Sequence, residues 1–117
     1  MAFRSLLVLA LAAVLVACDG APRGAPDLTG TITRSSASVS VASILVEERP
    51  ADAAGSAKAS VRVTGTTSLW KTVDGRQEAA LVGDLREGAR VQVWFDGPVA
   101  MSYPVQGTAK AIVILAP

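Results

Sequence analysis

Histidine is absent from the 117-residue chain, and cysteine occurs once, at Cys18. With neither a second thiol nor an imidazole, the chain cannot build an intrachain disulfide, a zinc cluster, a Ser-His-Asp triad or a Cys-His nucleophile pair. Charge of one sign is lacking too, with 11 Lys and Arg against 10 Asp and Glu. A nucleic-acid binder needs a basic footprint, so that class of partner is excluded. Aromatics make up 4% of the residues, which leaves few stacking surfaces to consider. No cofactor and no metal is expected.

What is present begins with an address. Arg4 supplies a positive start, Leu6 to Val16 is an unbroken apolar run, and Ala17 is small. The run is too short for a spanning helix, which needs roughly 20 apolar residues, but suits an export signal. The string Leu15-Val16-Ala17-Cys18 resembles the lipobox of bacterial lipoproteins. That resemblance implies cleavage between Ala17 and Cys18 and a lipid on the Cys18 sulfur. An ordinary secretory signal with an incidental cysteine is the plainer alternative. The expected product is exported and anchored to the bacterial cell membrane, facing the periplasm or the exterior. Asp19 resembles an inner-membrane retention signal of some bacteria, and the choice between inner and outer membrane stays open.

The organisation expected is a signal over 1–17, a lipidated N-terminus and flexible tether over 18–27, and one domain over 28–117. Two prolines and two glycines without an apolar period mark the tether. About 100 residues after the signal suffice for one domain.

From Leu28 onward twelve Val and four Ile stand against six Leu, a balance that favours strands. Alternation predicts strands near 28–35, 43–48, 57–64, 90–95 and 106–115, with a turn or bulge near Ala42 where the apolar parity changes. Residues 67–71 follow a bend at Gly65-Thr66. Asp74-Gly75 predicts a turn. Gln77 to Asp84 is expected to form two turns of helix. Ile112 to Leu115 is apolar on both parities and is expected to be buried on both faces. The fold expected is therefore mainly β: a small five-stranded OB-like barrel with one short helix between the third and fourth strands. A β-sandwich, the runner-up, wants seven strands or more.

The most distinctive string runs from Asp84-Leu85-Arg86-Glu87-Gly88 through Val91-Gln92-Val93-Trp94-Phe95 to Gly97-Pro98-Val99, Ser102-Tyr103-Pro104 and the strand 109–114. With Gly30-Thr31-Ile32 and Ile44-Leu45-Val46-Glu47 upstream, it resembles an uncharacterised family of exported bacterial proteins, domain of unknown function 3221. The resemblance spans residues 28–116 and implies an OB-like barrel in a lipoprotein. It implies no activity.

Candidate ligand-binding residues are Trp70, Trp94 and Tyr103, since OB-like barrels often stack ligands on aromatics. Two of them have a packing role as the alternative: Trp94 covering the barrel edge and Tyr103 pinning the last loop. Glu47, Glu48 and Asp52, and Asp84 with Glu87, lack the spacing of a cation loop and read as solvated charge. Arg62, Lys71, Arg86 and Arg90 are interspersed with acids and read as a dispersed surface. The expected role is a non-enzymatic binding module for a small ligand or an envelope protein. A partner recruited through an edge strand is the alternative, and a hydrolase using carboxylates such as Glu47 and Asp96 is remote.

Overall fold

The computed structural model describes residues 21–49, 57–102 and 104–116. Cys18, Ala17, Asp52 and Tyr103 lie outside the described residues. Seven strands are present: β1 (Leu28–Ala37), β2 (Ala42–Glu47), β3 (Lys58–Val63), β4 (Ser68–Val73), β5 (Arg76–Ala79), β6 (Arg90–Phe95) and β7 (Val105–Ala116). They form one sheet in the order β3-β2-β1-β6-β7-β4-β5, and β3 pairs again with β7. That extra pairing closes β1, β2, β3, β7 and β6 into a five-stranded barrel. The β4–β5 hairpin is a flap added to the far half of β7.

The closure is parallel, Ala59 to Arg62 against Val105 to Thr108, and β4 continues along the same edge with Ser68 to Lys71 against Ala111 to Ile114. One strand of 12 residues thus serves two partners in succession on one side, while β6 runs along its other side. Among the described residues the strands form one sheet, not the two that a sandwich requires.

Alternation explains which face is which. Ile32, Ile44, Val46, Val61, Val63, Val91, Val93 and Ile112 are completely buried inside the barrel. Full burial of each such side chain contributes about 1.5–3 kcal/mol against chain entropy. Ser43, Arg62 and Arg90, of opposite parity, are exposed, and so is Arg34, which shares the parity of Ile32 but follows a bulge. Three irregularities shift this alternation around the curve. Thr33 is an extra residue in β1 opposite β2, and Lys110 and Leu115 are extra residues in β7 opposite β6. Such bulges bend a strand and reset its faces.

The expected helix over Gln77–Asp84 is not formed. Arg76 to Ala79 are a strand, and only a single 3-10 turn follows at Val82–Asp84. Asp74 and Gly75 both have positive φ, 51° and 77°, which is the geometry of a two-residue hairpin turn. It folds the chain straight back, so Val73 pairs with Arg76 and Trp70 with Ala79. Residues 68–71 belong to β4, and β4 and β5 together raise the strand number from five to seven. The turn expected near Ala42 lies over 38–41, closed by Ser38 N–H donating to the Val41 carbonyl at 2.9 Å. Ala57, at the start of the stretch expected as the third strand, is exposed and precedes β3. Burial on both faces holds for Ile112 to Ile114, but Leu115 is 37% exposed.

Candidate functional site

At one pole of the barrel the entrances of β1, β3 and β7 meet the exit of β6. Leu28, Ala59, Phe95, Val99 and Val105 line an apolar recess of about 550 Å³ there, with Asp27 and Lys58 also in its wall. Its shape follows from small residues. A Cβ on Gly107 would stand 2.7 Å from Val99 Cγ1 and 2.8 Å from Phe95 Cδ1. Glycine there lets the ring and the valine lie against the β7 backbone. Asp27, the last tether residue by sequence, is tied into the sheet: its N–H donates to Val93 O at 2.9 Å, and Phe95 N–H donates to Asp27 Oδ2 at 2.8 Å.

Around the corner, on the outer faces of β2, β3 and β7, lies a polar recess of about 360 Å³. Ser43, Ser60, Arg62, Asp96, Gln106 and Thr108 supply its hydroxyls, charges and amide. Pro98 lines both recesses, so the segment after β6 separates the apolar pole from the polar face. The Gly97-Pro98-Val99 string, distinctive in the sequence, is this partition. The apolar recess draws on stretches of chain far apart in sequence, so no local pattern reveals it.

Trp70 and Trp94 are elsewhere. Both are half-buried on the outside of the sheet, on either side of β7, Trp94 opposite Ala111 and Trp70 opposite Val113. Val113 is fully buried although it lies outside the barrel's interior cluster. A valine on an outer face reaches that state only under its neighbours, and the two indoles supply the bulk. Their Nε1 atoms are covered and have no hydrogen-bond partner among the described residues. They offer apolar area and no accessible donor, and they do not flank the β2–β3 face.

Glu47, on the outer face of β2, accepts a hydrogen bond from the Thr33 hydroxyl of the bulge and lies 3.4 Å from Lys58 Nζ. The Thr33 bond is the main influence lowering its pKa. Lys58, and less so Arg34, act in the same direction, and partial burial opposes them. A lowered carboxylate stabilises the fold above the ordinary range and loses that contribution as pH falls through its folded value. Glu47→Gln is therefore expected to lower the unfolding midpoint at neutral pH, and the difference from the parent should shrink as the pH falls below the ordinary carboxylate range. Midpoints recorded across that range check this; a pH-independent difference would contradict it.

The dispersed-surface expectation for the basic residues matches their placement. Lys71 and Arg86 share a recess with Asp84 and Glu87, Lys71 Nζ standing 3.9 Å from Asp84 Oδ2, while Arg62 is on the β2–β3 side. Among the described residues no three carboxylates gather as a metal site.

A family model described as a protein of unknown function (DUF3221) matches residues 36–116. No curated protein and no solved structure matches the chain.

Proposed function

We propose, for a chain that belongs to the DUF3221 family, the role of a cell-envelope lipoprotein whose barrel binds a small molecule without transforming it. The order β1-β2-β3-β7-β6, with a parallel pairing between the third and last strands, is the strand order of an OB-like barrel. The β4–β5 hairpin takes the place of the helix such barrels often carry. Loop 38–41 and residues 96–102 then correspond to the loops that border ligands in that fold, and of the two the second, through Gly97, Pro98 and Val99, lines the apolar recess.

The apolar recess at the pole carries the reading. Its volume of about 550 Å³ falls in the range of small-molecule sites, about 300–1,000 Å³, and its apolar wall with few polar groups has their usual make-up. A ligand with an apolar body fits it best. Glu47, the carboxylate a hydrolase would use, is held ionised by Thr33 and Lys58, which suits a structural ion pair and not a proton donor at neutral pH. The lipobox-like Leu15-Val16-Ala17-Cys18 supports export and a lipid anchor on Cys18. The membrane is thus one partner, and the ligand or an envelope protein the other.

A thermal-shift screen against apolar and amphipathic metabolites, sugars, peptidoglycan fragments and divalent cations tests the binding role. A ligand at 100 times its Kd adds about 2.7 kcal/mol, which raises the midpoint of a domain this size by roughly 10–20 °C. Amide shifts on titrating the hit should cluster at Leu28, Phe95 and Val105. Shifts confined to Ser43, Ser60 and Arg62 would move the site to the polar face, and a flat screen would remove the small-molecule reading.

A further inference from the structure

Barrel closure leaves the sheet with one terminal strand, β5, beyond which no other strand lies among the described residues. All four of its residues, Arg76, Gln77, Glu78 and Ala79, are exposed. Their backbone groups are phased by the hairpin. Val73 and Arg76 flank the two-residue turn, and Ala80 N–H donates to Leu69 O at 2.9 Å. Arg76 and Glu78 therefore direct N–H and C=O toward β4, and Gln77 and Ala79 direct theirs outward. An outward row of this kind is a template for another strand.

We infer that β5 pairs antiparallel with β5 of a second copy of this chain, about a two-fold axis through Gln77. Charge selects this occupant and this register. With Gln77 opposite Gln77 of the other copy, Arg76 falls opposite Glu78 at both ends, two opposite-charge pairs on one face. Parallel in-register pairing would oppose Arg76 to Arg76 and Glu78 to Glu78, which is repulsive. The backbone phase agrees, because the residue on the axis must be one whose groups point outward, and Gln77 is. Four residues a side bury far less than the roughly 1,600 Å² of a stable interface, so the association is weak and reversible.

The test is disulfide trapping of the full chain carrying Gln77→Cys, with the parent chain, whose only cysteine is Cys18, as baseline. Cα atoms across such a pair are about 5.5 Å apart, within the range of about 4.4–6.8 Å a disulfide spans. Under a mild oxidant a dimer above the baseline is expected. Adding Arg76→Glu or Glu78→Arg should reduce its yield at least tenfold, because each creates two like-charge pairs. Mixing the two swapped chains should recover a mixed dimer. There the introduced glutamate of one chain meets the introduced arginine of the other, and the unchanged Glu78 of the first meets the unchanged Arg76 of the second. Arg76→Glu, which faces only Val73 in its own hairpin, carries the test alone if Glu78→Arg, which faces Lys71, disturbs folding. No dimer above the baseline, or a yield indifferent to the swaps, overturns the inference.

Discussion

Gly30→Ala is expected to lower the unfolding midpoint by roughly 10–20 °C, the largest loss of stability from a single methyl group in this barrel. Gly30 points inward from β1, and a Cβ there would stand 2.5 Å from the carbonyl oxygen of Glu47, 2.8 Å from its carbonyl carbon and 3.0 Å from Val46 Cγ1. The first two neighbours are backbone and cannot rotate away. Nor can β2 withdraw, because Glu47 is paired with Thr31 on one side and with Lys58 on the other. Overpacking of a filled core costs about 1–3 kcal/mol and occasionally more, and each kcal/mol moves the midpoint of a domain this size by about 4–8 °C. Gly65, around which the space is open, is the control, and Gly65→Ala should leave the midpoint within a few degrees. Equal midpoints for the two variants would mean that β1 and β2 separate more easily than their pairing suggests.

The second large effect concerns the anchor. Cys18→Ser is expected to leave the first 17 residues uncut and the acyl mass absent, whereas the parent chain is expected to be cut before Cys18 and to carry lipid there. The difference is close to all-or-none, because only a thiolate sulfur forms the thioether and serine does not replace it. Acyl chains on Cys18 would hold the protein by simple addition: each buried CH₂ contributes about 0.8 kcal/mol, a single chain holds marginally, and two or more hold firmly. Intact-mass spectrometry of the membrane and soluble fractions reads both changes together. An identical cut in parent and variant, with no added mass in either, would make residues 1–17 an ordinary secretory signal and Cys18 incidental.

Much of the barrel is legible in the sequence because its strands alternate cleanly. Val91, Val93 and Phe95 against Arg90, Gln92 and Trp94, and Ala59, Val61 and Val63 against Ser60 and Arg62, mark both the strand and its inward face. The β4–β5 flap is not legible, for a reason that lies in β7. Gln77, Glu78, Ala79 and Ala80 are good helix formers, and locally nothing opposes a helix. The far half of β7, however, runs past the end of β3 and leaves an edge that β4 covers, with Leu69 opposite Ile112 and Trp70 opposite Val113. Strand pairing and burial there outweigh propensity, and the Asp74-Gly75 turn then returns the chain as β5. The candidate site is less legible than the fold. Alternation puts Trp94 on the outer parity of its strand, but that Trp70 joins it across β7 depends on β4 being a strand at all. The apolar recess is assembled from residues 27–28, 57–59, 95, 97–99 and 105, and only the Gly97-Pro98 signature points anywhere near it.

The position of β7 in the chain has a consequence for the order of events in folding. Three of the sheet's pairings, those with β6, β3 and β4, wait on this last strand, and the parallel closure joins Ala59 to Val105 across a long loop of chain. Pairings between residues so far apart in sequence form slowly. When the chain emerges N-terminus first, as it does in synthesis, the meander of β1, β2 and β3 has neither a floor nor a lid until residues 105–116 appear. The barrel therefore reaches its closed form only once residues 105–116 are available to pair with β3, β4 and β6.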